Sequence, residues 1–379
     1  MKKALLVTRV SGFVPQFEMN NVKILQQLGY EVHYAANFNV VAYGNDNDRL
    51  KGTGIICHHI PFCRSPFSPS VRKTYRQLKD LMQNESFDLI HCHMPMTGVI
   101  ARMAAQAVRR GTKRAAAVLY TTHGFHFYSG APFVNWIYYL PERWLAHYTD
   151  CLITMNEEDY RRARSFSVRG RIEKISGVGI QIEQPSYGKD RGWMEPEFGI
   201  RNKDFLIVSV GELNTNKNHI QILRALVQCR DTSIKYVLCG QGDMLEELKE
   251  FVIKNGLEAQ VVFAGYRSDV PRILASSDLF VFPSLREGLP VAVMEAMNMG
   301  LPIVAKRIRG NTDLIEQGKG GILVERGEPS EYAEAILKMK REPERAGKMG
   351  EWNQKRVQQF AAGHVREQMK EIYERVTRQ

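Results

Sequence analysis

Residues 279–305, with the sequence LFVFPSLREGLPVAVMEAMNMGLPIVA, contain two short apolar runs separated by a loop and a helical pattern. Runs of this length are typical of buried strands, and Pro290 suits the start of the helix between them. The same alternation of short apolar runs and amphipathic stretches continues toward both ends of the chain. Strands that alternate with helices predict parallel sheets whose two faces are both covered.

The strand-like runs form two series. A stretch punctuated by Gly and Pro, ISGVGIQIEQPSYGKDRGW at residues 175–193, separates them. A length of 379 residues also fits two domains. We predict an α/β protein of two doubly wound, Rossmann-like domains, residues 1–182 and 183–358, that face a central cleft. A C-terminal helix over residues 359–379 is expected to pack back on the N-terminal domain.

The composition is that of an ordinary globular protein, with 44% hydrophobic and 25% charged residues. It excludes a disordered chain and a small domain held together by disulfides. No run of about 18 apolar residues predicts a membrane-spanning helix. The N-terminal sequence MKKALLVTRVSGF has too short an apolar centre for a signal peptide, so it predicts the first buried strand of a cytoplasmic protein.

The net charge of +11 is concentrated in the N-terminal half, where residues 1–190 carry 24 Lys and Arg against 15 Asp and Glu. Two stretches, Ser70–Met82 and Ala101–Arg114, are especially basic. They are either solvated helix faces or a surface for anionic lipid headgroups, because their basic residues are interleaved with aromatic and aliphatic ones. No recognition motif for nucleic acid accompanies them, so nucleic acid is not an expected partner.

Ligands of open parallel sheets bind beyond the carboxyl ends of the strands, so polar residues at these positions are the candidate site residues. Lys217 stands directly before a helix and offers a phosphate both a positive charge and free backbone amides. Glu287 can reach the hydroxyls of a sugar attached to that phosphate, and Glu295 can accept a hydrogen bond from a ribose. Gly240 and Gly242 either let the backbone approach a ligand or form a tight strand-to-helix turn.

No metal site is expected from the sequence. The HCH run at residues 91–93 lies in a predicted strand, where alternate side chains point to opposite faces and one ion cannot easily collect all three. Asp46 and Asp48 have the spacing of a DxD metal-binding pair, but they lie in a polar loop and not after a buried strand. Without a metal, the charge of a bound phosphate must be balanced by Lys217 and helix amides.

The motifs resemble those of the family 4 glycosyltransferases, which share the GT-B fold. EGLPVAVMEAM, residues 287–297, resembles their signature of two glutamates separated by seven residues, and VGELNTNKNH, residues 210–219, resembles their phosphate-binding loop. YTTHGFHFY, residues 120–128, resembles the histidine loop of their N-terminal domain. The resemblance covers nearly the whole chain. Within the family, the sequence looks most like bacterial glycosyltransferases of capsule and exopolysaccharide assembly.

The resemblance implies a role for each matching residue. Glu287 contacts the hydroxyls of the donor sugar, Glu295 binds the ribose of the nucleotide, and Lys217 pairs with the diphosphate. His123 lies near the reacting carbon, where it orients and stabilises and does not act as a base. Gly12 allows the backbone to approach donor or acceptor. The further donor-binding residues implied in this way are Gly211, Asn216, Gly240, Gly242, Tyr266, Arg267, Gly288, Leu289, Pro290 and Val291.

The chain departs from the family pattern at Glu212, because most members have an arginine there. One of the two usual phosphate cations is therefore missing. Either Lys217 and the backbone amides carry more of the diphosphate charge, or Arg9 assists.

The resemblance implies an enzyme that moves a hexosyl or N-acetylhexosaminyl group from a nucleotide sugar, expected to be UDP-linked, to a glycan acceptor with retention of configuration. The acceptor is expected on undecaprenyl diphosphate, and the enzyme is expected to be cytoplasmic and peripherally bound to the inner, anionic face of the plasma membrane. No cofactor or metal is expected. Two alternatives stay open at this point: a UDP-sugar 2-epimerase of the same fold, and a catalytically inactive scaffold that binds sugar nucleotides.

Overall fold

The computed structural model describes residues 1–42, 47–65, 67–111, 115–182 and 191–377. The chain forms two compact units. The N-terminal unit comprises Met1–Gly179 together with Ala362–Gln379, and the C-terminal unit comprises Ile180–Ala361. The chain therefore enters the C-terminal unit a few residues before the boundary that the sequence placed at residue 182. It returns to the N-terminal unit with its last helix.

The N-terminal unit is built on a seven-stranded sheet with the strand order β3-β2-β1-β4-β5-β6-β7, in which all pairs are parallel. The strands are β1 Lys2–Val10, β2 Tyr30–Asn37, β3 Ile56–His59, β4 Leu89–His93, β5 Ala117–Thr121, β6 Cys151–Thr154 and β7 Arg171–Lys174. The helices are α1 Met19–Gln27, α2 Ser70–Glu85, α3 Pro95–Arg109, α4 Tyr139–Leu145, α5 Glu157–Ala163 and the C-terminal helix Ala362–Thr377.

The C-terminal unit is built on a six-stranded parallel sheet with the order β10-β9-β8-β11-β12-β13. The strands are β8 Phe205–Val210, β9 Ile234–Cys239, β10 Val261–Gly265, β11 Leu279–Phe282, β12 Ile303–Lys306 and β13 Gly321–Val324. The helices are α6 Met194–Phe198, α7 Ile220–Cys229, α8 Leu245–Lys254, α9 Val270–Ala275, α10 Val291–Asn298, α11 Asn311–Leu314, α12 Pro329–Arg341 and α13 Pro343–Val357.

Both faces of the C-terminal sheet are buried, and strand β11 shows how the sequence achieves this. Leu279 and Val281 pack in the core on one face, whereas Phe280 and Phe282 pack in the core on the other. Successive side chains of a strand point to opposite faces, so a strand covered on both sides needs a continuous apolar run. Burial of each such side chain stabilises the fold by roughly 1.5–3 kcal/mol. The prediction of two α/β domains with buried parallel strands is confirmed.

The strand order reverses at β1 in the N-terminal sheet and at β8 in the C-terminal sheet. β1 lies between β2 and β4, and β8 lies between β9 and β11. The connections on either side of such a strand leave in opposite directions, which opens a crevice at the carboxyl ends of the strands. The loops after β1, β4, β8 and β11 are therefore the positions in each unit where a ligand fits best.

The C-terminal helix packs against α1 and is also tied to the N-terminal sheet. The Tyr373 hydroxyl lies 2.8 Å from Nδ1 of His91 on β4, and Nε2 of the same histidine lies 2.7 Å from the Thr121 hydroxyl. Within the part of the chain that the structure describes, no helix combines the length and the apolar character needed to cross a bilayer.

Candidate functional site

Lys217 and Glu287 meet at the carboxyl end of the C-terminal sheet. Lys217 Nζ lies 2.7 Å from Glu287 Oε1 and 4.8 Å from the centroid of the Phe282 ring. Only 20% of the lysine side chain and 14% of the glutamate side chain are exposed. A charge-assisted hydrogen bond in such a place is stronger than one between neutral groups. The structure thus joins the residue predicted to bind the diphosphate to the one predicted to bind the sugar.

The two loops that carry this ion pair are tied together. Asn216 Nδ2 donates to the Arg286 carbonyl at 3.0 Å, and the Leu285 amide donates to the Asn216 carbonyl at 2.8 Å. Asn214 stabilises the turn, because its Oδ1 accepts from the Lys217 amide at 2.9 Å. Asn216, which was predicted to bind the donor, therefore uses its side-chain amide to position the loop that carries Glu287.

Arg309 is a candidate that the sequence analysis missed. Its Nε donates to the Glu287 carbonyl at 3.1 Å, and its side chain is buried. The next residue, Gly310, has a φ of +79°, and an added Cβ there would lie 2.5 Å from the Gly288 carbonyl oxygen. A buried guanidinium beside this loop adds positive charge close to the predicted phosphate site. The available signal was an arginine directly before the glycine that opens the GNTDLIE segment.

Helix α10 begins at Val291, after a connection formed by Gly288, Leu289 and Pro290. Pro290 occupies the N-cap with an extended backbone (φ −76°, ψ 119°), so it precedes the helix and does not form part of its first turn. The first amides of a helix have no partner inside the helix and can bind an anion. Glu295 lies one turn further along and is half-buried. Three predicted donor-binding residues therefore lie in this connection, and two more, Val291 and Glu295, lie within the first five positions of α10.

Several glycines predicted to approach the donor instead approach the protein's own backbone. An added Cβ at Gly240 would lie 1.8 Å from the Gly211 carbonyl oxygen, and one at Gly242 would lie 2.3 Å from the Leu213 carbonyl oxygen. Gly12 in the N-terminal unit meets the carbonyl oxygen of a neighbouring loop in the same way, at 1.7 Å. Glycine is needed at these positions because the loops pack so tightly that a side chain would collide with the neighbouring backbone.

Tyr266 and Arg267 follow β10, the edge strand of the C-terminal sheet. Tyr266 is exposed. Arg267 pairs with Asp269 and with Glu197, each at 2.6 Å. The hydrogen bond to Asp269, with a further contribution from Glu197, raises the pKa of Arg267 above its ordinary value. A donor would have to compete with both carboxylates, so these contacts favour a structural role for Arg267.

His123 is half-buried and lies beside the buried residues His93 and Glu18 in the N-terminal unit. Its Nε2 is 3.1 Å from His93 Nδ1, which lies 3.6 Å from Glu18 Oε1. Phe13 packs edge-on against the His123 ring, with centroids 5.0 Å apart. Burial lowers the pKa of His123 to about 4 and raises the pKa of Glu18 to about 8, so both groups are mainly uncharged near neutral pH. A neutral imidazole has one donor and one acceptor nitrogen, so it can orient a ligand by donating or accepting a hydrogen bond.

Glu18, His93 and His123 are also the group that could hold a metal ion. One ligand atom from each lies within 4.8 Å of the others, and neutral imidazole is the form that binds metals. The sequence analysis missed this group because its members come from three separate segments. As expected, Cys92 of the HCH run points to the opposite face of β4 and packs in the core. Asp46 of the DxD pair lies outside the described residues.

Two family models match the chain: "Glycosyl transferase 4-like domain" over residues 19–176 and "Glycosyl transferases group 1" over residues 192–356. The putative glycosyltransferase EpsD of Bacillus subtilis (strain 168) is 38% identical over 380 residues, which span 98% of this chain and 96% of EpsD. The UDP-Gal:alpha-D-GlcNAc-diphosphoundecaprenol alpha-1,3-galactosyltransferase of Escherichia coli is 27% identical over 305 residues, or 78% of this chain and 76% of that enzyme.

Solved structures show the same architecture. The complex of Anabaena HepE with UDP-glucose has a TM-score of 0.78 at 21% identity and covers 99% of this chain and 100% of HepE. Neither an epimerase nor an inactive scaffold is favoured by these likenesses. The chain belongs to family 4 of the glycosyltransferases, has the GT-B fold, and is a glycosyltransferase of polysaccharide biosynthesis.

Proposed function

We propose that the enzyme transfers a hexosyl or N-acetylhexosaminyl group from a UDP-sugar to a glycan on undecaprenyl diphosphate, with retention of configuration. The observation that carries this proposal is the Lys217–Glu287 ion pair on two tied loops at the switch point of the C-terminal sheet. A UDP donor is supported by the E. coli relative, whose name specifies UDP-Gal, and by the UDP-glucose complex of HepE. The same relative's name specifies an acceptor on diphosphoundecaprenol.

The ion pair prepares the C-terminal unit for a sugar diphosphate. The diphosphate accepts hydrogen bonds from Lys217 and from the first amides of α10, and the Glu287 carboxylate accepts from sugar hydroxyls. Because Lys217 is already held in place, less side-chain entropy is lost when the donor binds. Glu295 accepts a hydrogen bond from the ribose, and the buried Arg309 adds positive charge beside Glu287.

The reaction breaks the bond between the anomeric carbon and the β-phosphate oxygen, and UDP leaves with the electron pair. The acceptor hydroxyl attacks on the same face and passes its proton to the departing phosphate, so the configuration is retained. Lys217 and the amides of α10 stabilise the charge that develops on the phosphate. His123, with a pKa near 4, orients the sugar and does not take up the proton. This assignment requires neither a metal ion nor a cofactor.

The proposed location is the inner face of the plasma membrane, with basic residues of the N-terminal unit toward the lipids. The exposed cations of the two basic stretches are Arg72, Lys73, Arg76 and Arg110. Two other arginines of the second stretch are internal, since Arg102 pairs with Glu142 and Arg109 pairs with Asp150, each at 2.7 Å. Residues 112–114 lie outside the described residues. The cationic surface is therefore smaller than the sequence predicts.

The test is a product-mass assay with the purified full-length enzyme, single UDP-sugars and glycans on short-chain polyprenyl diphosphates. We expect one UDP-sugar to add one hexose or N-acetylhexosamine to such an acceptor, with retention visible in the anomeric NMR coupling. Transfer only from donors other than UDP-sugars, or an inverted product, would contradict the proposal. A parallel reaction without acceptor tests the epimerase alternative, because an epimerase changes the sugar of the donor by itself.

A further inference from the structure

Residues 133–144 of the N-terminal unit present large apolar side chains to solvent. They form a 3₁₀ segment, Phe133–Tyr138, which continues directly into α4. The largest exposed fractions belong to Phe133 (92%), Leu140 (71%), Val134 (69%), Ile137 (69%) and Trp144 (51%). No residue of the 3₁₀ segment is buried. We call these twelve residues the 133–144 surface.

The exposed side chains follow helical spacing. The 3₁₀ segment has three residues per turn, so the exposed Val134 and Ile137 share one side of it. In α4, Leu140 and Trp144 are four positions apart and share one side of the helix. A helix on the surface of a soluble protein normally turns such a stripe toward the core. Here the stripe faces solvent, and the internal contacts are made by the other side of the segment.

The inward side of the segment is well anchored. Tyr139 packs edge-on against Phe127, with ring centroids 5.3 Å apart. Glu142 accepts hydrogen bonds from Arg102 at 2.7 Å and from the Tyr120 hydroxyl at 3.2 Å. The fold therefore buries an ion pair here while it leaves a phenylalanine, an isoleucine and a leucine in contact with water. Because the inward contacts fix the segment, the exposed stripe is not a result of loose packing.

An exposed stripe of this kind points to a partner. Soluble monomers rarely expose contiguous apolar patches larger than a few hundred Å². Trp136, Tyr138 and Trp144 accompany the aliphatic residues, and such aromatic side chains concentrate where an apolar phase meets a wet one. Between residues 133 and 144, all of which the structure describes, the ionisable side chains besides tyrosine are the inward Glu142 and the exposed Arg143. The formal charge on the outward side is therefore positive.

Further positive charge lies on the adjoining helices. Helix α4 packs on α3, and α3 packs on α2. The cations exposed on α2 and at the end of α3 are Arg72, Lys73, Arg76 and Arg110. An apolar stripe with cationic neighbours fits an anionic bilayer. It disfavours a second copy of this chain, because two identical cationic surfaces repel each other.

We propose that the 133–144 surface inserts into the boundary between the headgroups and acyl chains of an anionic bilayer, while the cations of α2 contact the headgroups. This inference rests on the proposed function, because an acceptor carried on a lipid brings the enzyme to a bilayer. In this proposal the apolar contribution to membrane binding comes from the 133–144 surface, which lies outside the two basic stretches. Salt screens the attraction between cations and headgroups but not the insertion of apolar side chains, so the two contributions can be separated.

The test is cosedimentation of the full-length protein with vesicles of phosphatidylglycerol and phosphatidylcholine that contain no polyprenyl lipid. The variant Phe133→Ser/Ile137→Ser/Leu140→Ser removes the stripe, and Ile253→Ser, at an exposed position of the C-terminal unit, is the matched control. We expect the triple variant to lower the partition coefficient by about tenfold or more at both low and high salt, and the control to leave it unchanged.

The cationic contribution has its own variant. Arg72→Ser/Lys73→Ser/Arg76→Ser is expected to weaken binding at low salt and to match the wild type at high salt, where these charges are screened. Thermal unfolding, measured in parallel, is expected to change little for either triple variant, because the side chains removed are exposed. If the apolar variant does fail to fold, the tryptophan fluorescence of the wild-type protein gives a second readout. A blue shift on adding vesicles that is lost in Trp144→Phe supports insertion.

Three results would overturn the inference. The first is an unchanged partition coefficient for the triple apolar variant. The second is binding that appears only when undecaprenyl diphosphate is added to the vesicles, since the surface would then hold the acceptor's own chain. The third is a wild-type dimer that the triple variant turns into monomers. Transfer to a short-chain acceptor in solution is expected to be equal in the wild type and the triple variant, and its absence from both would instead contradict the proposed function.

Discussion

The two units share one architecture but differ in the charge of their polar groups. The C-terminal unit holds an ion pair, Lys217 with Glu287, at the carboxyl end of its sheet. In the N-terminal unit the corresponding region holds the buried His93 and Glu18 and the half-buried His123, and desolvation shifts the pKa of each toward the neutral form. Charged groups suit a diphosphate, whereas neutral hydrogen-bonding groups suit sugar hydroxyls. We therefore expect the same sheet topology to bind charge in the C-terminal unit and sugar hydroxyls in the N-terminal unit.

The largest expected effect is on the charged site. We expect Lys217→Ala and Glu287→Ala each to lower turnover by about 10²–10³, because each removes a preorganised group at the leaving phosphate or the sugar. Lys249→Ala is the matched control, since it breaks an exposed ion pair with Glu246 of 2.9 Å and should leave turnover unchanged. Turnover is measured by product mass and folding by thermal unfolding. Near-wild-type turnover of either site variant with intact unfolding would refute the site assignment.

The second prediction concerns the neutral cluster. The pKa of Glu18 is about 8 in the folded protein, above the ordinary glutamate value of 4.5. Between pH 4.5 and about pH 8, Glu18 has lost its proton in the unfolded chain but keeps it in the folded chain. The free energy of unfolding therefore falls as the pH rises through this range. Glu18→Gln removes this titration while it keeps the shape of the side chain.

The stability gain of Glu18→Gln over the wild type should therefore grow from pH 6 to pH 8, by up to roughly 1.4 kcal/mol per pH unit. Urea unfolding of both proteins from pH 6 to pH 8 measures the difference between their free energies of unfolding. The buried histidines are present in both proteins, so their contribution cancels in this difference. A difference that stays constant with pH would show that Glu18 is charged in the folded protein, as a metal ligand would be.

A smaller effect, on the KM for the UDP-sugar, is expected at Glu212, where the sequence differs from the family motif. Glu212 is exposed, and the resemblance of the loop to the family motif implies an arginine at this position in most members. Glu212→Arg should lower the KM for the UDP-sugar by about two- to fivefold, the range of an exposed ion pair. Glu212→Gln is the control and should have an intermediate effect. A KM that rises in Glu212→Arg would mean that the diphosphate does not lie beside this position.

The smallest expected effect is that of a chelator. If Lys217 and helix amides alone stabilise the leaving phosphate, dialysis against EDTA should leave turnover unchanged. The Glu18–His93–His123 cluster makes this a sharp test, because it has the ligand types of a metal site. Loss of turnover in EDTA that Mg²⁺, Mn²⁺ or Zn²⁺ restores would contradict the metal-independent reaction.

Local patterns in the sequence were enough to predict the fold. The continuous apolar run of β11 predicts a strand buried on both faces, and its four side chains do alternate between two cores. One of the amphipathic stretches, FEMNNVKILQQL at residues 17–28, contains α1, and Gly29 follows this helix with a φ of +81°. These features depend on neighbours in the chain, and such neighbours are visible in a sequence.

The donor loops could also be found from sequence, whereas their supports could not. Lys217 and Glu287 each follow a buried strand in a motif with a recognisable spacing. The only local signal for Arg309 is the glycine that follows it, and Glu18 has none, because the partners of both residues lie on other segments. Which single charged residues become buried beside a site is decided by packing across the sheet and not by spacing along the chain.

The direction of an amphipathic face was the least predictable feature. In the first basic stretch Leu78 and Met82 point into the core, and in the second the arginine at position 102 is buried in an ion pair. Residues 133–144 are mostly large and apolar, as a core segment would be, yet most of these side chains face outward. Periodicity shows that a helix has an apolar side, but only the tertiary structure shows what that side meets.

The measurement that tests the central claim most directly is a calorimetric titration of UDP into three proteins: the wild type, Lys217→Ala and His123→Ala. The account predicts that the affinity for UDP falls about tenfold or more in Lys217→Ala, because a charge-assisted contact with the diphosphate is lost. It predicts that the affinity of His123→Ala stays close to that of the wild type while its turnover falls. Equal affinity in all three proteins, or a loss confined to His123→Ala, would contradict the assignment of the diphosphate to the Lys217–Glu287 site.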